Sequence, residues 1–357
     1  MITNVKRISI YDLKPNMILA ENLMLNSLTL VAKKTTLNAI MIKKIIEFYP
    51  SNTIYIYVNQ EKTLTPSVQD SNEQGLNKTE ILLNNFSNNI YKFLNNIDGN
   101  SKLDLTEIRI MSKEILDNNN NNDYISILKS ITNSRNIDEY LTRHSVNVAF
   151  LSSILGKWLN LPQKDLTLLT YAAFLHDIGK VKVNQKILNK PSKLTKLEFE
   201  EIKKHSVYSY ELVRTIPYLD ESVSLAVLMH HERLDGSGYP LHLKKDRINI
   251  FAKIIGITDT FDAMTSDKVY SKKQNPFKVL ELMQYECMAT LDYNYLTTFI
   301  NQMLNYYTGE MVNLSDNRIG KIVKTDINNI SSPLISVDSI FIDLKNEKDL
   351  FITDLVP

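Results

Sequence analysis

The sequence predicts a mainly α-helical protein: a helical bundle set between a small α+β domain at the N-terminus and a short β-rich extension at the C-terminus. Three observations carry that reading. From residue 138 to about 308, apolar residues recur at spacings of three and four, as in Leu141, Val148, Leu151 and Leu155, with His144 on the same face. That is the pattern of helices burying one stripe. Runs of strand-like composition lie near the ends, ISIYDL, MILAENLML and TIYIYV in the first 58 residues and ISVDSIFIDL and DLFITDL in the last 45 or so,. The stretch 59–78, NQEKTLTPSVQDSNEQGLNK, is poor in large apolar side chains and reads as a linker,.

Taken in order, residues 1–58 surround one helical stretch, LNAIMIKKIIEFY, with β-type runs and make the α+β domain,. After the linker, residues 79–135 form a helical connecting region interrupted by DNNNNND at 117–123, a solvated loop,. The bundle occupies 136–310. Within it Thr195 and Glu198 have capping-box spacing and open a helix with the stripe Ile202, His205, Tyr208 and Leu212,. From 311 to 357 apolar and polar residues alternate, with SDN and KNEKD as turns,. No repeat of 20–50 residues is visible,. Trp158 and the methionines read as core packing.

Composition excludes several classes. Among 357 residues, 41 Lys and Arg balance 40 Asp and Glu, a net charge of +1. That offers no global field for a nucleic acid polymer or an anionic membrane. Cys287 is the single cysteine, so an internal disulfide framework is ruled out and a reducing compartment is expected,. No signal-peptide core opens the chain and no run of about 18 apolar residues occurs. The expectation is a cytoplasmic protein without membrane insertion.

The six histidines hold the chemistry. His144, His176, His205, His230 and His231 each sit on or beside an apolar helical stripe, at intervals of 32, 29 and 25 residues up to His230. Each interval is about one helix plus a connection, so successive helices would deliver one or two imidazoles to a common pocket. Asp177 follows His176, and Asp259 ends the apolar run FAKIIGIT. Neutral imidazole with carboxylate is a donor set for first-row transition metals, and an aspartate between two histidine groups has two oxygens with which to bridge two ions. Asp262, one turn beyond Asp259, is a ligand or supports one. Glu232 is either a hydrogen-bond acceptor for a ligand imidazole or a solvated helix end. His242 is a surface residue. Asp235, Gly236, Gly238, Tyr239 and Pro240 form a tight, shaped loop after the histidine pair,.

In order and spacing, HDIGK at 176–180, the lone His205, HHE at 230–232, DGSGYP at 235–240 and DTFDAMTSDKVY at 259–270 resemble the HD-GYP domain. That is a branch of the HD metal-dependent phosphohydrolases, and the likeness covers roughly 135–310. LKPNMILAENLML, LVAKKTTL and IYIYV resemble the small domain often found before HD-GYP modules, and YYTGEMVNLSDNRIGKIVKT the β-extension that often follows them.

The resemblance implies an HD-type helical bundle of bacterial origin that hydrolyses cyclic di-GMP by metal-hydroxide attack. The product is pGpG, with GMP following if the second phosphodiester is also cut. It implies His144, His176, Asp177, His205, His230, His231 and Asp259 as ligands, Asp177 bridging, of two divalent ions, iron or manganese. Some members carry a glutamate four residues before the first histidine, for a third ion; Tyr140 stands there here, beside Glu139, which points to two. Lys180 matches the lysine facing the attacked phosphate, and Lys268 a cation for the second phosphate. The other basic position is Ser271, with Lys272 displaced by one. Asp235, Gly238, Tyr239 and Pro240 would line the substrate, and the loop or the N-terminal domain would meet signalling proteins. The competing readings are a cyclic di-GMP receptor with little turnover and a hydrolase of another nucleotide.

Overall fold

Two units divide the chain, Met1–Asp70 and Ser71–Pro357. The structure, a computed structural model, describes residues 4–356 except for short breaks before residue 53 and the stretches 59–67, 96–104, 121–126, 129, 132–139 and 267–272.

In the first unit β1 (Asn4–Ser9) pairs antiparallel with β5 (Thr53–Val58), Ile8 opposite Ile54, and β2 (Ile18–Leu19) pairs with the other edge of β5. β3 (Leu23–Leu25) and β4 (Leu28–Val31) make a separate antiparallel pair. Strand β5 shows why TIYIYV extends: Ile54 and Ile56 are buried while Tyr55 between them is exposed, the two-residue period of a half-buried strand,. Ile10, Leu19, Leu23, Leu37 and Ile45 complete this small core, and residues 41–42 and 45–46 are helical as expected.

The long helix α1 (Val68–Asn95) corrects the linker. Residues 68–78 are helical although they lack an apolar face. The stripe Leu83, Phe86, Ile90 and Phe93 anchors the helix in the core, and extending an existing helix costs far less than nucleating one. The asparagine run is corrected in the same way. Helix α2 (Thr106–Asn120), held by Ile108, Met111 and Ile115, continues through Asn118, Asn119 and Asn120, and the rest of that run lies outside the described residues.

The bundle follows with α3 (Tyr140–Trp158), α4 (Gln163–Leu175), a 3-10 turn (Ile178–Lys182), α5 (Gln185–Leu188), α6 (Lys196–Lys203), α7 (His205–Val213), α8 (Glu221–Met229), α9 (Ile250–Thr265), α10 (Pro276–Glu286) and α11 (Tyr293–Tyr307). Capping residues fix the starts: Thr195 and Glu198 form the expected box, and Asp220, Asn249, Asn275 and Asp292 each accept a backbone N–H of the first turn,. The stripe expected to run unbroken from Ile202 to Leu212 is divided at Lys204, so His205 begins a new helix. Helix α3 packs on α4 and α9, and α8 packs on α4, α7 and α9. The buried Arg143 guanidinium donates to Asn84 Oδ1 at 2.9 Å and Glu80 Oε2 at 3.0 Å, tying α1 to α3 one residue before His144.

The last segment is a five-stranded antiparallel sheet of β6 (Met311–Leu314), β7 (Ile319–Lys324), β8 (Leu334–Val337), β9 (Ile340–Asp343) and β10 (Ile352–Leu355), in the order β10-β6-β7-β8-β9. The SDN turn joins β6 to β7 with Asn317 at φ 68. Val312, Leu314, Ile322 and Ile335 belong to the same core as α10 and α11, and Asn275 Nδ2 donates to Ile352 O at 2.7 Å. The extension is therefore part of the bundle's unit. Among the described residues no helix is long and apolar enough to cross a membrane.

Candidate metal centre

The seven expected ligands come from five places in the bundle: His144 inside α3, His176 and Asp177 at the end of α4, His205 at the start of α7, His230 and His231 at the end of α8, and Asp259 inside α9. They meet. His144, His176 and Asp259 form one group whose donor atoms lie within 4.8 Å of one another, and His205, His230 and His231 form a second. Asp177 lies between them. Its Oδ2 is 3.4 Å from both His144 Nε2 and His176 Nε2, and its Oδ1 is 3.3 Å from His205 Nε2. One carboxylate thus presents a different oxygen to each group.

Local backbone structure aims the imidazoles. His176, His205 and His230 each donate Nδ1–H to the carbonyl three residues earlier, of Ala173, Ile202 and Val227, at 2.6–2.7 Å. Carbonyls at the end of a helix lack an intrahelical partner, so each histidine both closes a helix and fixes its own tautomer. His144 lies on a stripe inside its helix, and the other four stand at helix ends, beside theirs. His144 Nδ1 donates to Asp262 Oδ2 at 2.7 Å, while Asp262 Oδ1 accepts from Asn147 Nδ2 at 2.8 Å. Asp262 therefore orients His144, an arrangement common behind metal-bound imidazoles. Sequence reasoning missed Asn147, three residues after His144 on the same helix face.

These contacts test whether the donors suit a cation. Carbonyls only accept, so the proton of His176, His205 and His230 is on Nδ1 and each Nε2 carries a lone pair. Yet His205 Nε2 lies 3.3 Å from His230 Nε2, and His176 Nε2 lies 3.3 Å from His144 Nε2. The first of these contacts sets lone pair against lone pair with no proton to share. Asp177 Oδ1 is buried and accepts no hydrogen bond, because the nitrogen nearest it is one of these unprotonated ones. A cation between them resolves the conflict, so the residues fit bound metal.

Protonation agrees. Burial lowers the His205 pKa to about 4 against the pull of Asp177. Burial, reinforced by neighbouring imidazoles, holds His230 and His231 well below the usual histidine value. All three are neutral at physiological pH. Burial works against ionisation of Asp177 and Asp259, but Lys180 and His176 hold the first, and His144 and His231 the second, well below the usual carboxylate range. For His144 burial opposes charging and is outweighed by Asp177, Asp259 and Asp262, which raise its pKa.

The turn after Asp177 explains the glycine of HDIGK. Gly179 donates its N–H to Ser209 Oγ at 2.7 Å, and a Cβ on it would run into His205 O and Ser209 N. Only glycine lets the turn bearing Asp177 press against the helix bearing His205. Lys180 Nζ lies 2.5 Å from Asp177 Oδ2 and is 18% exposed.

Of the loop residues expected to line the substrate, Tyr239 reaches the histidines, its ring centroid 4.6 Å from that of His231. Asp235 is exposed and accepts from Ser237 N and Oγ at 2.9 and 2.7 Å, shaping the loop. Gly238 is buried against the backbone of His231 and Arg233, and Pro240 follows Tyr239 through a cis bond. Glu232 is neither of the things expected: it is buried and accepts backbone N–H groups of Leu241 and Leu243. His242 is exposed as expected. Glu139, Lys268, Ser271 and Lys272 lie outside the described residues.

Residues 128–293, which hold every one of the expected ligands, match the HD domain family. The chain is 32% identical over 210 residues to a cyclic di-GMP phosphodiesterase, PA4108, of Pseudomonas aeruginosa, a match covering 59% of this chain and 50% of that protein. It is 32% identical over 153 residues to 3'3'-cGAMP-specific phosphodiesterase 3 of Vibrio cholerae, covering 43% of this chain and 33% of that one. The chain thus spans half the length of the first relative and a third of the second. Among solved structures it resembles Bd1817, an HDG"Y"P protein from Bdellovibrio bacteriovorus, with a TM-score of 0.52 at 14% identity over 84% of this chain and 99% of that one. That likeness is one of fold.

Proposed function

We propose that the chain is a metal-dependent phosphodiesterase of the HD-GYP kind that hydrolyses cyclic di-GMP to pGpG, acting in the cytoplasm. The observation that carries this is Asp177, which turns one oxygen to each of two histidine groups. Bound there, two divalent ions, iron or manganese, would neutralise phosphodiester charge and lower the pKa of a water between them. The chain's own residues do the rest. His144, His176 and Asp259 hold one ion and His205, His230 and His231 the other. Asp262 keeps His144 Nε2 aimed inward through its hydrogen bond. Lys180, beside Asp177, is assigned the charge that builds on the attacked phosphate, a role for a preorganised cation in a partly buried place,. Lys268 and Lys272 are assigned to the second phosphate. The relative of Pseudomonas aeruginosa, matched over the longer span, favours cyclic di-GMP over 3'3'-cGAMP.

The experiment is turnover of cyclic di-GMP, 3'3'-cGAMP and a linear dinucleotide by protein loaded anaerobically with iron or manganese, with products separated by chromatography. Conversion of cyclic di-GMP to pGpG is expected. Tight binding without turnover in both metal forms would show a receptor instead, and turnover of 3'3'-cGAMP alone would move the substrate.

A further inference from the structure

Glu232 is 4% exposed and meets the loop that follows the histidine pair. Its Oε1 accepts the Leu241 N–H at 2.6 Å and its Oε2 the Leu243 N–H at 2.9 Å. Both donors belong to the returning arm of the loop. Between them His242 takes a positive φ of 52, and such an excursion turns neighbouring N–H groups toward one anion. A buried carboxylate without partners is costly, whereas one accepting two backbone N–H bonds is a strong tie. The loop is fastened at other points too: Tyr239 N donates to His231 O at 3.2 Å, Gly236 N to Arg233 O at 2.8 Å, and Leu234 N to Thr290 O at 2.7 Å. What the loop carries is the Tyr239 ring, tilted 35° over His231, with Lys203 Nζ 5.5 Å from its centroid on another side. His231 is the most exposed of the five histidines, its side chain at 19%.

We propose that Glu232 is a positioning residue that latches the 233–243 loop so that Tyr239 covers His231, and that this lid sets how fast the ion held by His205, His230 and His231 exchanges with solvent. The inference rests on the two-ion reading of the site. The lid acts on one ion because Tyr239 packs on His231 and lies 6.4 Å from His205, while His144 and His176 are covered by the helices.

The test uses the full chain loaded with manganese, as wild type, Glu232→Ala, Glu232→Gln and Tyr239→Ala, with two readouts: metal release into excess chelator, and backbone amide exchange. In Glu232→Ala the amides of Leu241 and Leu243 lose protection, those of α8 and α9 keep theirs, and one ion of the two leaves at least tenfold faster. Glu232→Gln is intermediate, since its amide oxygen accepts one N–H while its NH2 group faces the other. Tyr239→Ala speeds release of the same ion but leaves Leu241 and Leu243 protected, which separates the lid from general support of the fold. Equal acceleration of both ions, unchanged exchange at Leu241 and Leu243 in the Glu232 variants, or unchanged release in Tyr239→Ala overturns the proposal. Wild type that takes up no metal refutes the reading of the site and the lid's role with it, while amide exchange in the Glu232 variants still reports on the latch.

Discussion

Replacing Asp177 with asparagine gives the most discriminating view of the centre, especially beside Asp262→Asn. The asparagine keeps the shape of Asp177 but presents one carbonyl oxygen and one NH2 group. Because the two carboxylate oxygens face different histidine groups, one group meets a donor where it had an anion, and the other loses a charged ligand. Loss of an outer partner of a ligand typically costs 10–100-fold in metal affinity. A direct ligand is worth more, so Asp177→Asn is expected to weaken both ions by at least about 100-fold, roughly 2.7 kcal/mol each. Asp262→Asn removes the charge behind His144 and leaves one acceptor oxygen for the two donors, His144 Nδ1 and Asn147 Nδ2. It is expected to weaken one ion by about 10–100-fold and leave the other bound. The assay is metal per chain by elemental analysis after dialysis against graded free metal. Two ions retained by Asp177→Asn at metal levels that strip Asp262→Asn would refute the bridging position. So would loss of both ions from Asp262→Asn alone.

Gly179→Ala sets a methyl group against His205 O and Ser209 N, where backbone cannot give way. It is expected to cost about 3 kcal/mol or more, the upper end for overpacking, and to cut metal content, read by thermal unfolding with and without metal. Lys180→Ala at saturating metal is expected to lower kcat by tenfold or more with a smaller change in KM, because the charge it meets builds only in the transition state; a pure KM effect would reassign it to substrate binding. Metal-free protein is expected to lose thermal stability as pH falls from about 7 to 5. His205 titrates at about 4 when folded and about 6.5 unfolded. The unfolded chain therefore binds more protons in that interval, and stability is complete above it and lost as pH drops. His230 and His231 shift the same way, whereas His144, whose pKa is raised, contributes stability that is lost instead as pH rises. Asp177 and Asp259, with lowered values, lose theirs only in stronger acid. A flat melting profile over that range would show that the histidines are not held neutral by the fold.

The sequence by itself determined which seven side chains were expected to share one place, and the fold brings them together. His144, the HD of HDIGK, His205, the HH of HHE and Asp259 name those seven, the capping box at Thr195 starts its helix as read, and TIYIYV alternates as a half-buried strand. These are legible because helix period, strand period and caps are set by residues a few positions apart. Local signals misled where a strong neighbour extended a weak segment, as in residues 68–78 of α1 and the asparagines ending α2. The tertiary structure alone decided how the seven expected ligands cluster, with Asp177 meeting histidines of both groups, and the partners of Asp262 and Glu232. His144 and Asp262 are 118 residues apart and meet through one hydrogen bond. Glu232 finds its partners nine and eleven residues ahead only because His242 turns the chain back. Such pairings depend on how α3, α4, α8 and α9 cross and which way each is rotated about its axis, and those angles are set by packing across the whole core, which no short window of sequence encodes.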